Sequence, residues 1–511
     1  MAPEKEESKQ VFPELIFGLV GAIGTDLDQV QDALAECLRA VGYEPILISL
    51  AESLKELKRQ GDPDFPIIPE KTSSEYYDQA IKRGNYFRQS MEQEEAALSL
   101  GIQAIQLDRD SRKLESKRRA YVLRSLKRKE EVELLRSIYG PAAIIISVYS
   151  PRSERVNRLS EKLATISHRN RLDSYRTEAE ALVQRDEEEH DVEYGQRVRK
   201  TFPLADFFVE IGTGIKTQES LQRFIELVFG NLSHTPSLDE QGMAMAHLAR
   251  LRSGSPARQV GASIADLKGR ILSIGTNEVP KAGGGQYWPG DTEDGRDYAY
   301  GAFDVSDKMR KNLLGDLLER IGKAKLLVKN CPSLDELLAR KPSEKSSESI
   351  RESLIFDTID FIRVVHAEAS ALFNLRIPAT EPGMTLYVTT FPCHECARHI
   401  VISGIKRVMY IEPYPKSLVR ELYHDSISID EQCEGPKVSF LPFVGIAPNL
   451  YTRLFEVGER KRKNDDGKII KWNPRSSFPQ LLRAYSETAA RVSEEEKLKV
   501  FRNRLKEKGY S

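Results

Sequence analysis

The stretches VVHAEASAL (residues 364–372) and TTFPCHECARHIVISG (residues 389–404) decide the fold and the chemistry expected of this chain. The first contains His-x-Glu, the second contains Pro-Cys-x-x-Cys, and 26 residues separate His366 from Cys393. A catalytic Zn2+ takes three protein ligands and keeps a fourth position open. Proline favours the first turn of a helix, where backbone amides stabilise thiolates. We therefore predict a catalytic zinc site with His366, Cys393 and Cys396 as its ligands.

Glu368 follows His366 by two residues and is not required as a ligand. A carboxylate beside a water molecule on zinc can take up a proton and return one to a substrate ring nitrogen, as in zinc deaminases. We predict Glu368 as this general base and acid. The alternatives are a Cys-x-x-Cys redox pair and half of a structural zinc site, neither of which needs the carboxylate.

These motifs resemble those of the deoxycytidylate deaminase family, which has the cytidine deaminase-like α/β/α fold. Three further stretches are similar to that family: SGSPARQVGASI (253–264), GTNEVP (275–280) and HIVISGIKRVMY (399–410). The resemblance covers residues 236–423 with one interruption. It implies Zn2+ as the cofactor, a deoxycytidine nucleotide as the substrate, and Asn277 as a hydrogen-bond partner of its sugar.

Arg258 and Gln259 are further candidates for the substrate end of the pocket, and contact with a neighbouring subunit is the alternative for Arg258. Two positions depart from the family pattern, since Ser370 stands where asparagine is usual and Ser255 where aspartate is expected. Both departures concern substrate recognition and leave the zinc ligands unchanged. Trp288, in a glycine-rich run, is interpreted either as a cover for the base or as a packing residue.

Residues 1–230 alternate short apolar runs with helical stretches, which predicts a doubly wound parallel α/β sheet. GLVGAIGTDLD (residues 18–28) follows the first predicted strand and resembles the phosphate-binding loop of P-loop kinases. Residues 26–28 stand where that family has glycine, lysine and serine, so we predict no phosphoryl transfer. The loop is interpreted as kept for folding, for weak nucleotide sensing or for contact with a regulator. The candidates for contact with a regulatory nucleotide are Gly18, Gly21, Gly24 and Thr25.

The predicted organisation has three parts. They are a degenerate P-loop kinase-like domain (1–230), a cytidine or deoxycytidylate deaminase domain (231–455) with an insertion at about 281–354, and a C-terminal extension (456–511). Strands are predicted at 14–20, 45–49, 142–149, 206–212, 259–267, 271–277, 385–390 and 407–412. Helices are predicted at 29–41, after Ser237, around His366 and after Cys393.

Residues 103–136 are predicted as one charged helical stretch. Between Arg109 and Arg136 this stretch holds eleven basic and five acidic residues. A solvated helix face is the plainer interpretation of this pattern. The alternative is a lid that brings arginines to phosphates or RNA.

Composition bounds the remaining possibilities. The chain of 511 residues has a net charge of −1, so its overall charge does not drive tight non-specific binding to nucleic acid. No signal peptide is apparent, and no apolar stretch approaches the roughly 18 residues of a transmembrane helix. Five cysteines, two of them three residues apart, favour metal or redox chemistry in a reducing compartment. We predict a cytoplasmic protein with no membrane partner.

The two-domain layout resembles the bacterial anti-phage dCTP deaminases. That resemblance implies deamination of dCTP and dCMP during phage infection, a homo-oligomer and, in some systems, restraint by a small RNA. The alternative enzymes are a housekeeping dCMP deaminase of thymidylate supply and a deaminase of RNA or single-stranded DNA. A nucleotide sensor or RNA-binding antitoxin partner with a structural zinc site is the non-enzymatic alternative.

Overall fold

The computed structural model describes residues 12–59, 62–70, 75–112, 118–166, 172–187, 194–211, 214–301, 305–328, 330–339, 350, 353–358, 361–376, 383–414, 416–433, 435–482 and 485–510. Two compact units are present: unit 1 contains residues 1–240 and 442–511, and unit 2 contains residues 241–441. This division differs from the predicted one because residues 442–511 group with the N-terminal part. Within the described ranges, no helix has the length and apolar character that crossing a membrane requires.

The N-terminal part of unit 1 alternates strands and helices. Its elements are β1 (Leu15–Gly21), α1 (Leu27–Ala40), β2 (Glu44–Ser49), α2 (Leu50–Glu56), α3 (Tyr76–Met91), α4 (Ala96–Ser111), β3 (Arg119–Leu126), α5 (Lys129–Tyr139), β4 (Ala143–Tyr149), α6 (Arg152–Ile166), α7 (Leu172–Glu187), α8 (Val198–Thr201), β5 (Phe207–Glu210) and α9 (Gly214–Val228). The four strands predicted here correspond to β1, β2, β4 and β5, with ends shifted by one or two residues.

The sheet of unit 1 is parallel except at one edge. β1 pairs in parallel with β3 on one side and β4 on the other, so that Phe17 lies opposite both Val122 and Ile144. β2 extends the sheet beyond β3, and β5 extends it beyond β4. All seven residues of β1 are buried, as expected of a central parallel strand. The α/β class is therefore observed, and kinship with P-loop kinases stays a prediction.

The prediction of one helical stretch over residues 103–136 is wrong. The structure places β3 between α4 and α5. Four consecutive residues of β3 are fully buried: Ala120, Tyr121, Val122 and Leu123. Arginines on both sides obscure this short apolar run in the sequence, whereas pairing with β1 and β2 determines its conformation.

Four arginines of this stretch are held by carboxylates of unit 1. The pairs are Arg109 with Glu14 and Glu494, Arg124 with Asp28, Arg128 with Glu94 and Glu130, and Arg136 with Asp206. A guanidinium that is already paired with a carboxylate is a poor ligand for an added phosphate. The structure therefore disfavours a phosphate-binding or RNA-binding lid at these arginines.

Unit 2 begins within α10 (Leu238–Arg250) and contains a second sheet. Its further elements are β6 (Gly261–Ala265), β7 (Ile271–Thr276), α11 (Asp297–Tyr300), α12 (Val305–Lys323), α13 (Leu334–Ala339), α14 (Ala367–Asn374), β8 (Thr385–Thr390), α15 (His394–Ser403), β9 (Arg407–Glu412), α16 (Val419–Leu422), β10 (Ile427–Ile429) and β11 (Val438–Pro442). The four strands predicted for this part correspond to β6, β7, β8 and β9.

The strands of unit 2 are ordered β10-β11-β9-β8-β6-β7. β8 and β9 are parallel, and β6 runs antiparallel to both β7 and β8. The core around this sheet includes Ile264, Leu386 and Val408. The predicted insertion holds α11, α12 and α13, and its residues 340–349 and 351–352 lie outside the described ranges.

The C-terminal segment contributes β12 (Gly445–Ile446), α17 (Pro448–Phe455) and α18 (Glu487–Glu507) to unit 1. β12 pairs with β5 at the antiparallel edge of the sheet. α18 buries Glu494, whose carboxylate accepts hydrogen bonds from the Tyr139 hydroxyl at 2.6 Å and from Arg109 Nη1 at 2.7 Å. A buried ion pair thus anchors this helix to unit 1.

We expect Glu494→Ala to lower the free energy of unfolding of unit 1 by about 2–4 kcal/mol, because Tyr139 and Arg109 lose a buried partner. Urea-induced unfolding of the full chain, followed by circular dichroism, measures the effect. The matched control is Glu495→Ala, since the Glu495 side chain is 52% exposed. Equal losses of stability in the two variants would contradict the anchoring role of Glu494.

Candidate active site

The three predicted zinc ligands lie at the beginnings of two helices. His366 is the N-cap residue of α14, and Cys393 is the N-cap residue of α15. Cys396 lies in the first turn of α15 and is buried. His366 and Cys393 each have an extended backbone, and the helix begins at the following residue. Their side chains therefore lie at the starts of the two helices.

The donor atoms of these residues are close enough to share one metal ion. His366 Nδ1 lies 3.2 Å from Cys396 Sγ and 3.3 Å from Cys393 Sγ. All three donor atoms lie within 4.8 Å of one another. Tetrahedral zinc with Zn–S of about 2.3 Å and Zn–N of about 2.0 Å places nitrogen and sulfur about 3.6 Å apart. The residues therefore fit Zn2+, and no second group of three potential ligands occurs in the described part of the chain.

The environment of Cys393 favours its thiolate. The hydrogen bond with Cys396 and the neighbouring His366 hold the pKa of Cys393 well below its usual range. The backbone N–H of Cys396 also donates to Cys393 Sγ at 3.4 Å. Since the thiolate is the form that binds metals, the helix start prepares Cys393 as a ligand.

α14 reaches its position because β7 carries a glycine beneath it. A Cβ atom on Gly275 would lie 2.2 Å from the carbonyl oxygen of Ala367. The Ser273 hydroxyl donates to the carbonyl oxygen of Ala371 at 2.6 Å and fixes the helix against the same strand. His366 and Glu368 belong to the start of this helix, so the close approach sets where both side chains lie.

Glu368 lies in the first turn of α14 and is only 4% exposed. Burial raises the pKa of Glu368 to about 7. A carboxyl group with a pKa near neutrality can both accept and release a proton during a reaction. Its position two residues from His366 places this group in the same cavity as the predicted metal ligands.

A cavity of about 610 Å3 in unit 2 contains the site and is large enough for a nucleotide-sized ligand. His366, Cys393 and Glu368 form one part of its wall. The aromatic residues Phe391 and Tyr414 form another part. The sequence gives no signal for Tyr414, because only the folded chain brings it beside Cys393.

Basic residues line the cavity as well, and they are Arg258, Arg310, Arg363 and Lys416. Arg310 pairs with Asp307 at 3.1 Å, and Arg363 pairs with Asp297 at 2.9 Å. Arg310 belongs to α12 in the predicted insertion, which therefore contributes to the site. No sequence pattern indicated Arg310, Arg363 or Lys416, because their positions depend on where the inserted and connecting segments run.

The predicted substrate-binding residues differ in where the structure places them. Asn277 and Arg258 line the cavity. The Asn277 side chain accepts from Val260 N and donates to the carbonyl oxygen of Arg258, both at 2.7 Å. Gln259 instead donates to the carbonyl oxygen of Ser253 at 2.8 Å and is not among the cavity residues described. Asn277 therefore also positions the segment that carries Arg258.

The two departures from the family pattern occupy different places. Ser255 lines the cavity. Ser370 donates from its hydroxyl to Gln286 Oε1 at 3.4 Å, and that oxygen also accepts from Arg252 Nη1 at 2.8 Å. Gln286 lies in the glycine-rich run and was not predicted from the sequence. Trp288 from that run contacts the Arg252 guanidinium at 3.6 Å, which supports its interpretation as a packing residue.

The predicted phosphate-loop residues lie in unit 1. Gly21, Gly24 and Thr25 line a separate cavity of about 340 Å3. Gly18 lies within β1 instead, where an added Cβ atom would meet Leu126 at 2.5 Å. Gly18 thus serves the packing of the sheet.

Comparison with known proteins identifies the part of the chain that carries the His-Cys-Cys cluster. Residues 236–412 match the cytidine and deoxycytidylate deaminase zinc-binding region. A Drosophila melanogaster protein named "Probable deoxycytidylate deaminase" is 28% identical over 175 residues, which are 34% of this chain and 58% of that protein. The deoxycytidylate deaminase of Mus musculus is 26% identical over 187 residues, 37% of this chain and 67% of that protein.

A shorter match reaches higher identity. The deoxycytidylate deaminase of Enterobacteria phage T4 is 46% identical over 54 residues, 10% of this chain and 28% of that protein. This chain therefore spans only part of the relatives that it matches. The matches support the prediction of an enzyme of the cytidine nucleotide deaminase class, and the description of the matching family names a zinc-binding region.

We expect Cys396→Ser to lose most of the bound zinc, because a serine hydroxyl is a much weaker ligand for Zn2+ than a thiolate. Elemental analysis of purified protein measures the zinc content per chain. The matched control is Cys433→Ser. In the unmodified chain the Cys433 sulfur accepts the N–H of Gly435 at 3.4 Å and belongs to no described metal cluster. Full zinc content in Cys396→Ser would show that the cluster does not hold the metal.

Proposed function

We propose that unit 2 catalyses the zinc-dependent hydrolytic deamination of a deoxycytidine nucleotide to the corresponding deoxyuridine nucleotide. The observation that carries the proposal is the buried carboxyl group of Glu368 in one cavity with His366 and Cys393. A structural zinc site requires no such carboxyl group. The match to a deaminase family and the names of the relatives support the same reaction.

The proposed chemistry divides between the metal and Glu368. His366, Cys393 and Cys396 would hold the Zn2+, which when bound would supply Lewis-acid activation of a water molecule. Glu368 takes the proton that this water loses as its oxygen adds to C4 of the cytosine, and it protonates the ring nitrogen. Glu368 then moves the remaining hydroxyl proton to the amino nitrogen, the C4–N bond breaks, ammonia leaves, and the C4–O bond becomes a carbonyl. Glu368 transfers the protons in both halves of the reaction.

The basic wall of the cavity supports a phosphorylated substrate. Arg310 and Arg363 each have a carboxylate partner. Arg258 is exposed at the cavity, and no carboxylate pairs with it in the described part of the chain; its guanidinium lies 5.8 Å from the ring of Tyr414. An arginine without a carboxylate partner is suited to hold a phosphate group. We therefore propose Arg258 as a phosphate contact and Asn277 as a contact of the sugar.

The biological role of the reaction has two candidates. The two-domain layout resembles anti-phage deaminases, which supports depletion of dCTP as a defence and restraint by a small RNA. The relatives named deoxycytidylate deaminases in an insect and a mouse support the alternative, a housekeeping supply of deoxyuridine monophosphate. Relative kcat/KM values for dCTP and dCMP separate the two, since defence by dCTP depletion requires efficient turnover of dCTP. A homo-oligomer remains a proposal in either role.

We expect Glu368→Gln to lower kcat by about 10²–10⁴-fold, because proton transfer by a positioned side chain contributes about that much. Uracil formation from dCTP, dCMP, CTP, deoxycytidine and a cytosine-containing oligonucleotide measures activity and substrate class together. Zinc content is measured in the same samples and should match that of the unmodified chain. Deamination of none of these compounds by the unmodified chain, or full activity of Glu368→Gln, would refute the proposal.

We expect Arg258→Ala to lower kcat/KM for dCMP or dCTP by about tenfold or more, because the substrate phosphate loses a charge-assisted hydrogen bond. Deamination of deoxycytidine, which has no phosphate, should change little. Arg270→Ala is the matched control, since Arg270 pairs with Asp266 in the β6–β7 hairpin and lines no part of the cavity described. An equal loss with nucleoside and nucleotide would instead assign Arg258 a structural role.

A further inference from the structure

The loop that follows β1 lies where parallel sheets commonly bind ligands. β1 and β3 are neighbours whose connections run in opposite directions, since β1 leads to β2 beyond β3 and β3 leads back to β4 beyond β1. Ligands of such sheets bind at the carboxyl ends of the strands beside this point. Gly21–Thr25 lines the cavity of about 340 Å3 at this end, together with residues that follow β2 and β3. Backbone amides in such a loop form a site for an anion.

The structure shows an anion at this loop, and it belongs to the protein itself. Asp186 of α7 accepts a hydrogen bond from Ile23 N at 2.7 Å. Lys127 Nζ lies 2.8 Å from Asp186 Oδ1 and 3.0 Å from Oδ2. The same ammonium donates to the carbonyl oxygen of Gly21 at 3.0 Å. The Asp186 side chain is only 2% exposed.

These contacts are the ones that a phosphate oxygen would make. A loop N–H and a lysine ammonium both donate to the carboxylate. The loop itself lacks a lysine, but Lys127 after β3 supplies one, and its charge is neutralised by Asp186. Arg124, another cation at the cavity, pairs with Asp28. Lys127 and Arg124 are therefore occupied by carboxylates, whereas Arg158 of α6 contacts the loop through the carbonyl oxygen of Gly24.

The loop is also fixed from α6, so it does not need an added ligand to be ordered. Gly24 has φ of +84°, and a Cβ atom there would lie 2.5 Å from the carbonyl oxygen of Arg155. Arg158 Nη1 donates to the carbonyl oxygen of Gly24 at 3.2 Å. The hydroxyl of Thr25 is buried and has no hydrogen-bond partner within the described residues. The loop thus keeps its conformation and still holds one unsatisfied polar group.

We propose that Gly21–Thr25 is a phosphate-type anion site whose resident ligand is the Asp186 carboxylate. A nucleoside polyphosphate would have to displace Asp186 and leave its buried charge without a partner, which is strongly unfavourable. The unmodified chain therefore takes no polyphosphate at this loop, which disfavours nucleotide sensing among the three roles that the sequence allows for it. Removing the carboxylate charge opens the site to pyrophosphate. This inference concerns unit 1 and does not depend on the deamination proposed for unit 2.

Calorimetric titration of the full chain with inorganic pyrophosphate tests the inference. Asp186→Asn keeps an acceptor for Ile23 N–H and frees the charge of Lys127. We expect the unmodified chain to show no saturable binding at millimolar pyrophosphate. We expect Asp186→Asn to bind pyrophosphate with a dissociation constant at least about tenfold below the millimolar range. The double variant Lys127→Met/Asp186→Asn should lose this binding. Glu187→Gln is the matched control because Glu187 pairs with Arg155 and Arg199, and it should not bind.

Each outcome bears on the proposal. Failure of folded Asp186→Asn to gain pyrophosphate binding overturns it, as does a gain that survives the loss of Lys127. If Asp186→Asn does not fold, Asp186→Ser replaces it, since serine also offers an acceptor to Ile23 N–H. The unmodified chain also tests the proposal without any substitution at Asp186. Saturable pyrophosphate binding that Lys127→Met abolishes would show that Asp186 does not close the loop.

Discussion

The close approach of α14 to β7 is the constraint on which the candidate active site depends. Gly275 allows it, because any side chain there would overlap the backbone of the helix. Interiors of proteins are closely packed and cannot absorb such an overlap without moving the element. Since α14 carries His366 and Glu368 at its start, movement of the helix would displace the predicted metal ligand and the proposed general base together. The proposed chemistry thus rests on a residue without a side chain.

The sequence predicted most of what is local and little of what is long-range. His366, Cys393 and Cys396 follow short local spacings, so their position at helix starts and the strands around them could be predicted. The structure brings the three side chains together, and their role as zinc ligands stays a prediction. β3 was missed because only four apolar residues separate its flanking arginines, and its conformation is decided by two neighbouring strands. The grouping of residues 442–511 with unit 1 was missed for the same reason: α18 is tied there by partners more than 350 positions away.

The substrate wall of the cavity shows the same limit. Asn277 and Arg258 belong to stretches with a recognisable pattern, and the structure places both at the cavity. Tyr414 and Arg310 belong to stretches whose sequence carries no chemical signature, and their roles arise from the path of the chain. Gln286 contacts Ser370, where the family pattern has a longer polar side chain. The serine that departs from the family pattern in α14 is thus contacted by a polar side chain from the glycine-rich run. A single sequence motif cannot reveal such a contact.

The two cavities differ in how their cations are neutralised, and this difference decides where a phosphate can bind. At the loop of unit 1, Lys127 is paired with Asp186, a buried carboxylate that already holds the loop amide. At the cavity of unit 2, Arg258 has no carboxylate partner in the part of the chain that the structure describes. An added phosphate must compete with an internal anion at the first site but not at Arg258. At the loop of unit 1 the nearest ammonium, Lys127, is therefore already paired, whereas Arg258 of unit 2 is a guanidinium at the candidate active site for which no carboxylate competes among the described residues.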